Sequence, residues 1–460
     1  MYTCKKCQHE VKKWVGQCPS CNAYQSLQPG TKGRRAMLDA GVPKKMKEVV
    51  HDDVHRIMTG TREFDRVLGG GMVQGSIILI GGNPGKGKST LCLQIGCELA
   101  DALEDPCKVL YVSGEETPSQ VKQRGQRIAP EMSSLVLCNE TELDKIKKHI
   151  LDIDPDILII DSIQTMRAPG LEESRPGGIV QIQESTSFIT GLCKARGVTA
   201  IIVGHVNKDG DIAGPKTLEH LVDVVLNFDA ERSSDIRILS ALKNRFGATS
   251  EVGVFRMTKD GLSSVDDPSA HIMRGKKAGP GSVLASVMMK AGAGAGSRAM
   301  IVEIQCLVSP TRSNSPRRVI EGYDRTRLEM CLAILGKHSE FGDIASMDIY
   351  VNLAGGFENI EQKSLDLPVM LGLVSTHLNK PLLPGVIAWG ELGLTGEVRP
   401  EDATDKRVSM CDAMKIKSER RLYSDADTVI TLGEALERSG LVVPASPVEV
   451  GALVQGAALA

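Results

Sequence analysis

Aromatic residues are scarce in this chain, with 2 Trp, 6 Tyr and 7 Phe among 460 residues, or 3%. So few rings exclude base stacking as the main grip on nucleic acid, and leave electrostatics as the means of any such contact. No run approaches the ~18 apolar residues of a membrane span, and the first residues lack the apolar core of a signal peptide. These absences predict a soluble, cytoplasmic protein with no membrane partner. Excess charge is also missing, at a net -2. The balance hides an asymmetry: residues 1–50 hold ten Lys and Arg against three acids, or +7, which leaves about -9 on the remainder. Cysteine is present at 12, yet Cys92, Cys97, Cys107, Cys138, Cys193, Cys306, Cys331 and Cys411 are scattered singly through apolar segments. That is the pattern of reduced, buried thiols and not of a disulfide framework. At 460 residues and 42% hydrophobic content, the chain is too long for one ordinary core.

What the chain does have is organised around Gly75 to Ala100. Ile77 to Ile80 suits a buried parallel strand. Gly82, Gly87, Lys88 and Ser89 satisfy G-x-x-x-x-G-K-[ST], and Leu91, Leu93, Ile95 and Leu99 give the next segment a helical apolar face. A glycine loop at a helix N-terminus turns backbone N–H groups toward phosphate, where the helix dipole already favours anions. Gly82, Pro84, Gly85, Gly87, Lys88, Ser89 and Thr90 are therefore the candidate ATP-binding residues, with Lys88 on the β and γ phosphates and Ser89 on Mg²⁺.

Ahead of this loop, Cys4, Cys7, Cys18 and Cys21 form two C-x-x-C knuckles ten residues apart. Each knuckle places two sulfurs on one turn, so the pair can close a tetrahedron around Zn²⁺. Residues 26–55 read as a basic linker, open between a solvated tether and a DNA-binding arm. Beyond the loop helix, Lys108 to Glu116 reads as a strand that ends in two carboxylates. Glu115 is the first choice for the base that deprotonates attacking water, and Glu116 the second. Asp156 to Asp161 is a buried strand that ends where a Walker B acid belongs, so Asp161 would hold Mg²⁺ through water, opposite Ser89. A fourth strand, Thr199 to His205, ends in a histidine that could sense the nucleotide. Long loops follow the last two strands and carry Arg167, Arg175, Lys208 and Lys216, cations that suit a phosphate backbone or merely a solvated loop.

The knuckle pair, the phosphate loop, YVSGEE, DILIIDSIQT, IIVGHVNKDGDIAGPKTLEH and Lys243-Asn-Arg-Phe-Gly247 stand in the order seen in the bacterial RadA (Sms) recombination ATPases, which the chain resembles over nearly its whole length. That resemblance implies a RecA-like ATPase ring, a hexamer, that moves on single-stranded DNA and promotes branch migration of branched intermediates alongside RecA recombinase. It makes Glu115 the catalytic glutamate, Asp161 the Walker B acid and His205 the sensor. It also makes Lys243 and Arg245 cations that reach a neighbouring subunit's nucleotide or the DNA; from the residues alone, KNRFG is a basic strand-turn-strand. Asn83 and Lys86 depart from the family pattern, which has an acid and an aliphatic residue at those positions.

The expected architecture is an α/β, RecA-like P-loop ATPase core with an N-terminal C4 zinc finger and a C-terminal α+β Lon-protease-like domain. Its divisions fall at 1–25 (zinc finger), 26–55 (linker), 56–262 (ATPase), 263–285 (linker) and 286–455 (Lon-like). VNLAGG, LDLPVMLGLV and GELGLTGEVRP carry the Lon resemblance. Lon-type proteolysis needs a Ser nucleophile and a Lys base. Ser364 falls out of register for that role, and Lys406 is left as a surface cation, so the domain reads as a non-proteolytic scaffold. Ser309 to Arg318, with Arg312, Arg317 and Arg318, is its candidate duplex-DNA loop. A DNA-dependent repair motor is thus the leading function. An ATP-dependent protease and a nucleotide-gated protein-binding module are the alternatives.

Overall fold

The computed structural model describes residues 2–4, 10–11, 19–21, 27–29 and 55–442, apart from 104, 130–132, 172, 205–216, 231–234, 266–268, 270–278, 291–295, 313–314, 355–359 and 361. Cys7, Cys18, His205, Lys208 and Lys216 lie outside the described residues. Cys4 ends a short strand, Tyr2–Cys4, and Cys21 is exposed.

A short helix α1 (Arg62–Val67) precedes the phosphate-loop strand β1 (Ile77–Gly81) and helix α2 (Lys88–Ala100). Next come β2 (Val109–Ser113), α3 (Pro118–Ile128), β3 (Val136–Asn139), α4 (Leu143–Ile153), β4 (Ile157–Asp161), α5 (Ile179–Arg196), β5 (Thr199–Val203) and α6 (Thr217–Leu221). Four more strands follow: β6 (Val224–Ala230), β7 (Ile236–Asn244), β8 (Val252–Thr258) and β9 (Gly261–Ser264). They form one sheet in the order β9-β8-β7-β6-β1-β5-β4-β2-β3. From β6 to β3 the pairings are parallel, and β7, β8 and β9 add on antiparallel.

Every residue of β1, β2, β4 and β5 is buried, which is why these strands read as continuous apolar runs without alternation. One face packs on Leu91, Leu93, Ile95 and Leu99 of α2, and the other on Ile146, Ile150, Ile182 and Ile189 of α4 and α5. Each such side chain contributes about 1.5–3 kcal/mol relative to exposure. The consequence for function is positional: the strand ends that carry Gly81, Ser113 and Asp161 share one edge, where an open α/β sheet places its ligand.

A second, mixed sheet is built from β10 (Ser282–Lys290), β11 (Ser297–Ser309), β12 (Arg318–Glu321), β13 (Asp348–Ala354), β14 (Ile387–Ala388) and β15 (Arg421–Leu422), in the order β12-β13-β11-β10-β14-β15. Helices α7 (Arg325–His338) and α8 (Asp366–His377) lie on it, as the apolar spacing of Leu328 to Leu335 and of Leu365 to His377 predicts. A third helix, α9 (Thr404–Ala413), sits on the other face. β10 and β11 pair antiparallel, with Lys290 opposite Ser297, and the glycine-alanine residues 291–295 between them lie outside the described residues. The two sheets are tied by a buried ion pair, Arg298 of β11 on Glu63 of α1, whose carboxylate also accepts the Val254 N–H of β8 at 2.8 Å.

Candidate nucleotide site

The loop after β1 is shaped by two glycines. Gly82 has φ +153°, and a Cβ there would lie 2.1 Å from the Phe228 carbonyl of β6. Gly87 caps α2 at φ +106°, a region closed to most side chains. Lys88, the first residue of α2, is 3% exposed and folds back over the loop, donating to Gly82 O at 2.6 Å and Asn83 O at 2.9 Å. Burial pulls its ammonium below the ordinary lysine value, opposed by Asp161, Cys92 and Glu115. The loop is strapped from outside by Arg237 of β7, whose Nε donates to Lys86 O at 3.0 Å. Pro84 and Gly85 are exposed at its tip, and Thr90 follows Ser89 into the helix.

Ser89 Oγ donates to Asp161 Oδ1 at 3.0 Å, so α2 and β4 bring together the two oxygens assigned to one cation. These are hard donors of the kind Mg²⁺ takes. Two contacts had no counterpart in the sequence reading. Tyr111, buried in β2, donates its hydroxyl to Asp161 Oδ2 at 2.6 Å. Ser162, also buried, donates to Glu115 Oε1 at 2.6 Å. The two candidate bases are thereby told apart: Glu115 is exposed at the strand end and held by Ser162, whereas Glu116 is paired with Arg124 Nη1 of α3 at 2.8 Å. Tyr111 was legible in one respect, because a tyrosine inside a buried strand needs a partner for its hydroxyl.

The other predicted residues spread around this edge. Arg167 and Arg175 are exposed on the loop after β4, and the Arg167 backbone is pinned to Thr141 O and the Leu143 N–H. Lys243 ends near the far edge of the sheet. It pairs with Val225, which pairs with Leu79, and its neighbour Asn244 reaches Ile78 through Val224. Arg245 follows beside the start of β1, about 17 Å along the strand from Gly82 at ~3.3 Å per residue. Lys243 Nζ caps α6, donating to Glu219 O at 2.5 Å and Val222 O at 2.9 Å. Burial and the nearby Arg245 lower its pKa. Arg245, with half its side chain exposed, contacts Asp223 Oδ1 at 3.2 Å. The same oxygen takes Lys194 Nζ at 3.0 Å, while Asp223 Oδ2 accepts the Ile77 N–H at 3.0 Å.

In the second sheet, Arg312 and Arg317 are exposed. Arg318 differs from the expectation of a surface cation: its side chain is 5% exposed and donates to Met347 O at 2.5 Å and Ala345 O at 2.6 Å. It therefore caps the turn Gly342–Ser346. Lys406 is likewise no free surface cation, because its Nζ donates to Ser250 O and Ser297 O, both at 3.1 Å. Ser364 is fully buried and accepts from Arg407 Nη2 at 2.7 Å. A guanidinium cannot take the serine proton, so these positions hold no Ser-Lys pair.

A phosphate loop at the end of β1, the Ser89 hydroxyl hydrogen-bonded to Asp161, and a carboxylate at the end of β2 mark a RecA-like P-loop ATPase, an ATP-hydrolysing enzyme. The family described as AAA domain matches residues 44–211, and the one described as rubredoxin metal binding domain matches residues 2–29, which include all four knuckle cysteines. Over 92% of its length the chain is 39% identical to the DNA repair protein RadA of Halalkalibacterium halodurans, covering 92% of that protein. It is 40% identical to the DNA repair protein RadA of Salmonella typhimurium and 39% identical to that of Escherichia coli, in each case over 89% of both chains. The chain belongs to the RadA family of DNA repair proteins. Among the described residues, no helix is long and apolar enough to cross a membrane.

Proposed function

We propose that this protein is a DNA-dependent ATPase of recombinational repair, a ring-shaped motor that moves on single-stranded DNA and processes branched intermediates. ATP lies in the cradle of Gly82 to Thr90. Mg²⁺ is held by Ser89 and Asp161, and Glu115 orients and deprotonates the attacking water. Cys4, Cys7, Cys18 and Cys21 hold Zn²⁺. Arg167, Arg175, Arg312 and Arg317 face the DNA. That the relatives are DNA repair proteins supports the repair role, and RecA recombinase and a hexameric ring are the finer expectations of the family.

The observation that carries the reading is the placement of Lys243 and Arg245. They stand at the end of the sheet away from their own phosphate loop, so the nucleotide they could serve is a neighbour's. A cation supplied in trans is worth roughly 10³ to 10⁵ in rate. Mixing settles this. Lys88→Ala lacks the cradle but keeps the finger, and Arg245→Ala keeps the cradle but lacks the finger. Each alone is expected to be inactive in single-stranded-DNA-stimulated ATP turnover, and their mixture to recover part of it. No recovery from co-assembled subunits would sink the shared-site reading. DNA-independent turnover in the wild type would sink the motor.

A further inference from the structure

The cation site has a support that the two-ligand picture leaves out. Asp161 offers two oxygens: Oδ1 faces Ser89, and Oδ2 points back into the protein, where it accepts the Tyr111 hydroxyl at 2.6 Å. Tyr111 is fully buried on β2, the strand next to β4, in register with Ile159. Behind it stands Arg124 of α3, with Nη2 at 3.4 Å from the Tyr111 oxygen and 3.9 Å from Asp161 Oδ2, and Nη1 at 2.8 Å from Glu116. A continuous row thus runs Ser89, Asp161, Tyr111, Arg124, Glu116.

We propose that Tyr111 is a positioning residue for the metal: it fixes the plane of the Asp161 carboxylate so that Oδ1 stays aimed at the cation, and Arg124 braces the tyrosine from behind. The proposal rests on the ATPase site alone and needs neither DNA nor a neighbouring subunit.

The chemistry favours it on three counts. A carboxylate with one oxygen tied to a buried donor loses rotational freedom, so Oδ1 is presented to a cation without further ordering. Tyr111 is fully buried, so its hydroxyl has Asp161 Oδ2 as its acceptor in place of water. Arg124 has 17% of its side chain exposed, and Glu116 neutralises it on the side away from the metal. Partners that orient metal ligands are worth 10–100-fold in metal affinity.

The test is Tyr111→Phe, which removes one oxygen and keeps the ring. A fluorescent ADP analogue is titrated into the full chain at a series of MgCl₂ concentrations, and the Mg²⁺ midpoint for tight nucleotide binding is read at equilibrium. Tyr111→Phe is expected to need ~10–100-fold more Mg²⁺, while its affinity for the analogue in EDTA matches wild type. Arg124→Met, which keeps length and loses charge, is expected to shift the midpoint in the same direction by a smaller factor. Thermal unfolding without Mg²⁺ confirms that both variants are folded. A midpoint within twofold of wild type in folded Tyr111→Phe overturns the proposal, as does an equal loss of affinity in EDTA. Should Tyr111→Phe fail to fold, an unshifted midpoint in Arg124→Met overturns it alone.

Discussion

At the scale of single residues, three oxygens of the candidate site have a hydroxyl donor: Asp161 Oδ1 and Oδ2, and Glu115 Oε1. Ser162 supplies one of these, to Glu115. A hydrogen bond to a charged group contributes about 1.5–3 kcal/mol, so Ser162→Ala is expected to lower kcat by roughly 10- to 150-fold. Nucleotide affinity should stay unchanged, and Ser162→Thr should restore the rate; a rise in KM at constant kcat would remove Ser162 from this role. Lys88, Ser89 and Asp161 could be picked out as candidates because they sit at motif positions, and the structure sets them at one edge of the sheet. The sequence did not disclose their partners. Tyr111, Arg124 and Ser162 are brought in by pairing between strands and by the approach of α3, and neither leaves a fixed spacing in the chain.

At the scale of elements, the edge of the sheet works because two of its strand ends nearly touch. Gly114, just past β2, donates its N–H to Asp161 O at 2.9 Å, and a Cβ there would lie 2.0 Å from Thr165 Oγ1 in the turn after β4. Gly114→Ala is therefore expected to displace the turn Ile163–Thr165 at a cost of about 1–3 kcal/mol, and to lower turnover with it, because Ser162 opens that turn. Urea unfolding and steady-state rates on one preparation would check both effects; unchanged stability would mean that the turn moves freely. The elements themselves were legible. Continuous apolar runs gave β1, β4 and β5, and the flanking strands of KNRFG appear as β7 and β8. Boundaries were less so, since β9 runs on to Ser264 and β10 begins at Ser282, both inside the stretch read as linker.

At the scale of the molecule, the two sheets meet where Ile238, Val252 and Val254 join the core of the second sheet, and the Arg298–Glu63 pair lies at that junction. Burial holds the Glu63 carboxyl above its ordinary range, and Arg298 opposes that rise. Arg298→Met leaves the carboxylate with the more exposed Arg66, at 3.2 Å, as its remaining cation, so the cost is expected to fall below the about 3–5 kcal/mol of a wholly unpaired buried charge. Because the folded pKa is raised, protonation favours the folded form. The deficit should be greatest at neutral pH and shrink as pH falls through that raised value toward the unfolded glutamate value of about 4.3. Denaturant melts of wild type and variant at several pH values would check it; a deficit that grows on acidification would refute it. Nothing in the sequence pairs residue 63 with residue 298, since the contact depends on how the antiparallel pair of β10 and β11 meets α1.

Asp223 is a single carboxylate with three donors on it: Lys194, Arg245 and the first amide of β1. The Ile77 amide is buried, and Lys194 has about a third of its side chain exposed. The third, Arg245, is half exposed and available to anything anionic that arrives from outside. If such a group draws Arg245 away, the vacancy opens at the root of the strand whose other end is the phosphate loop. The strand between them, Ile77–Gly81, is paired on both sides, so a change at Asp223 would bear on one end of the element that carries the phosphate loop at the other.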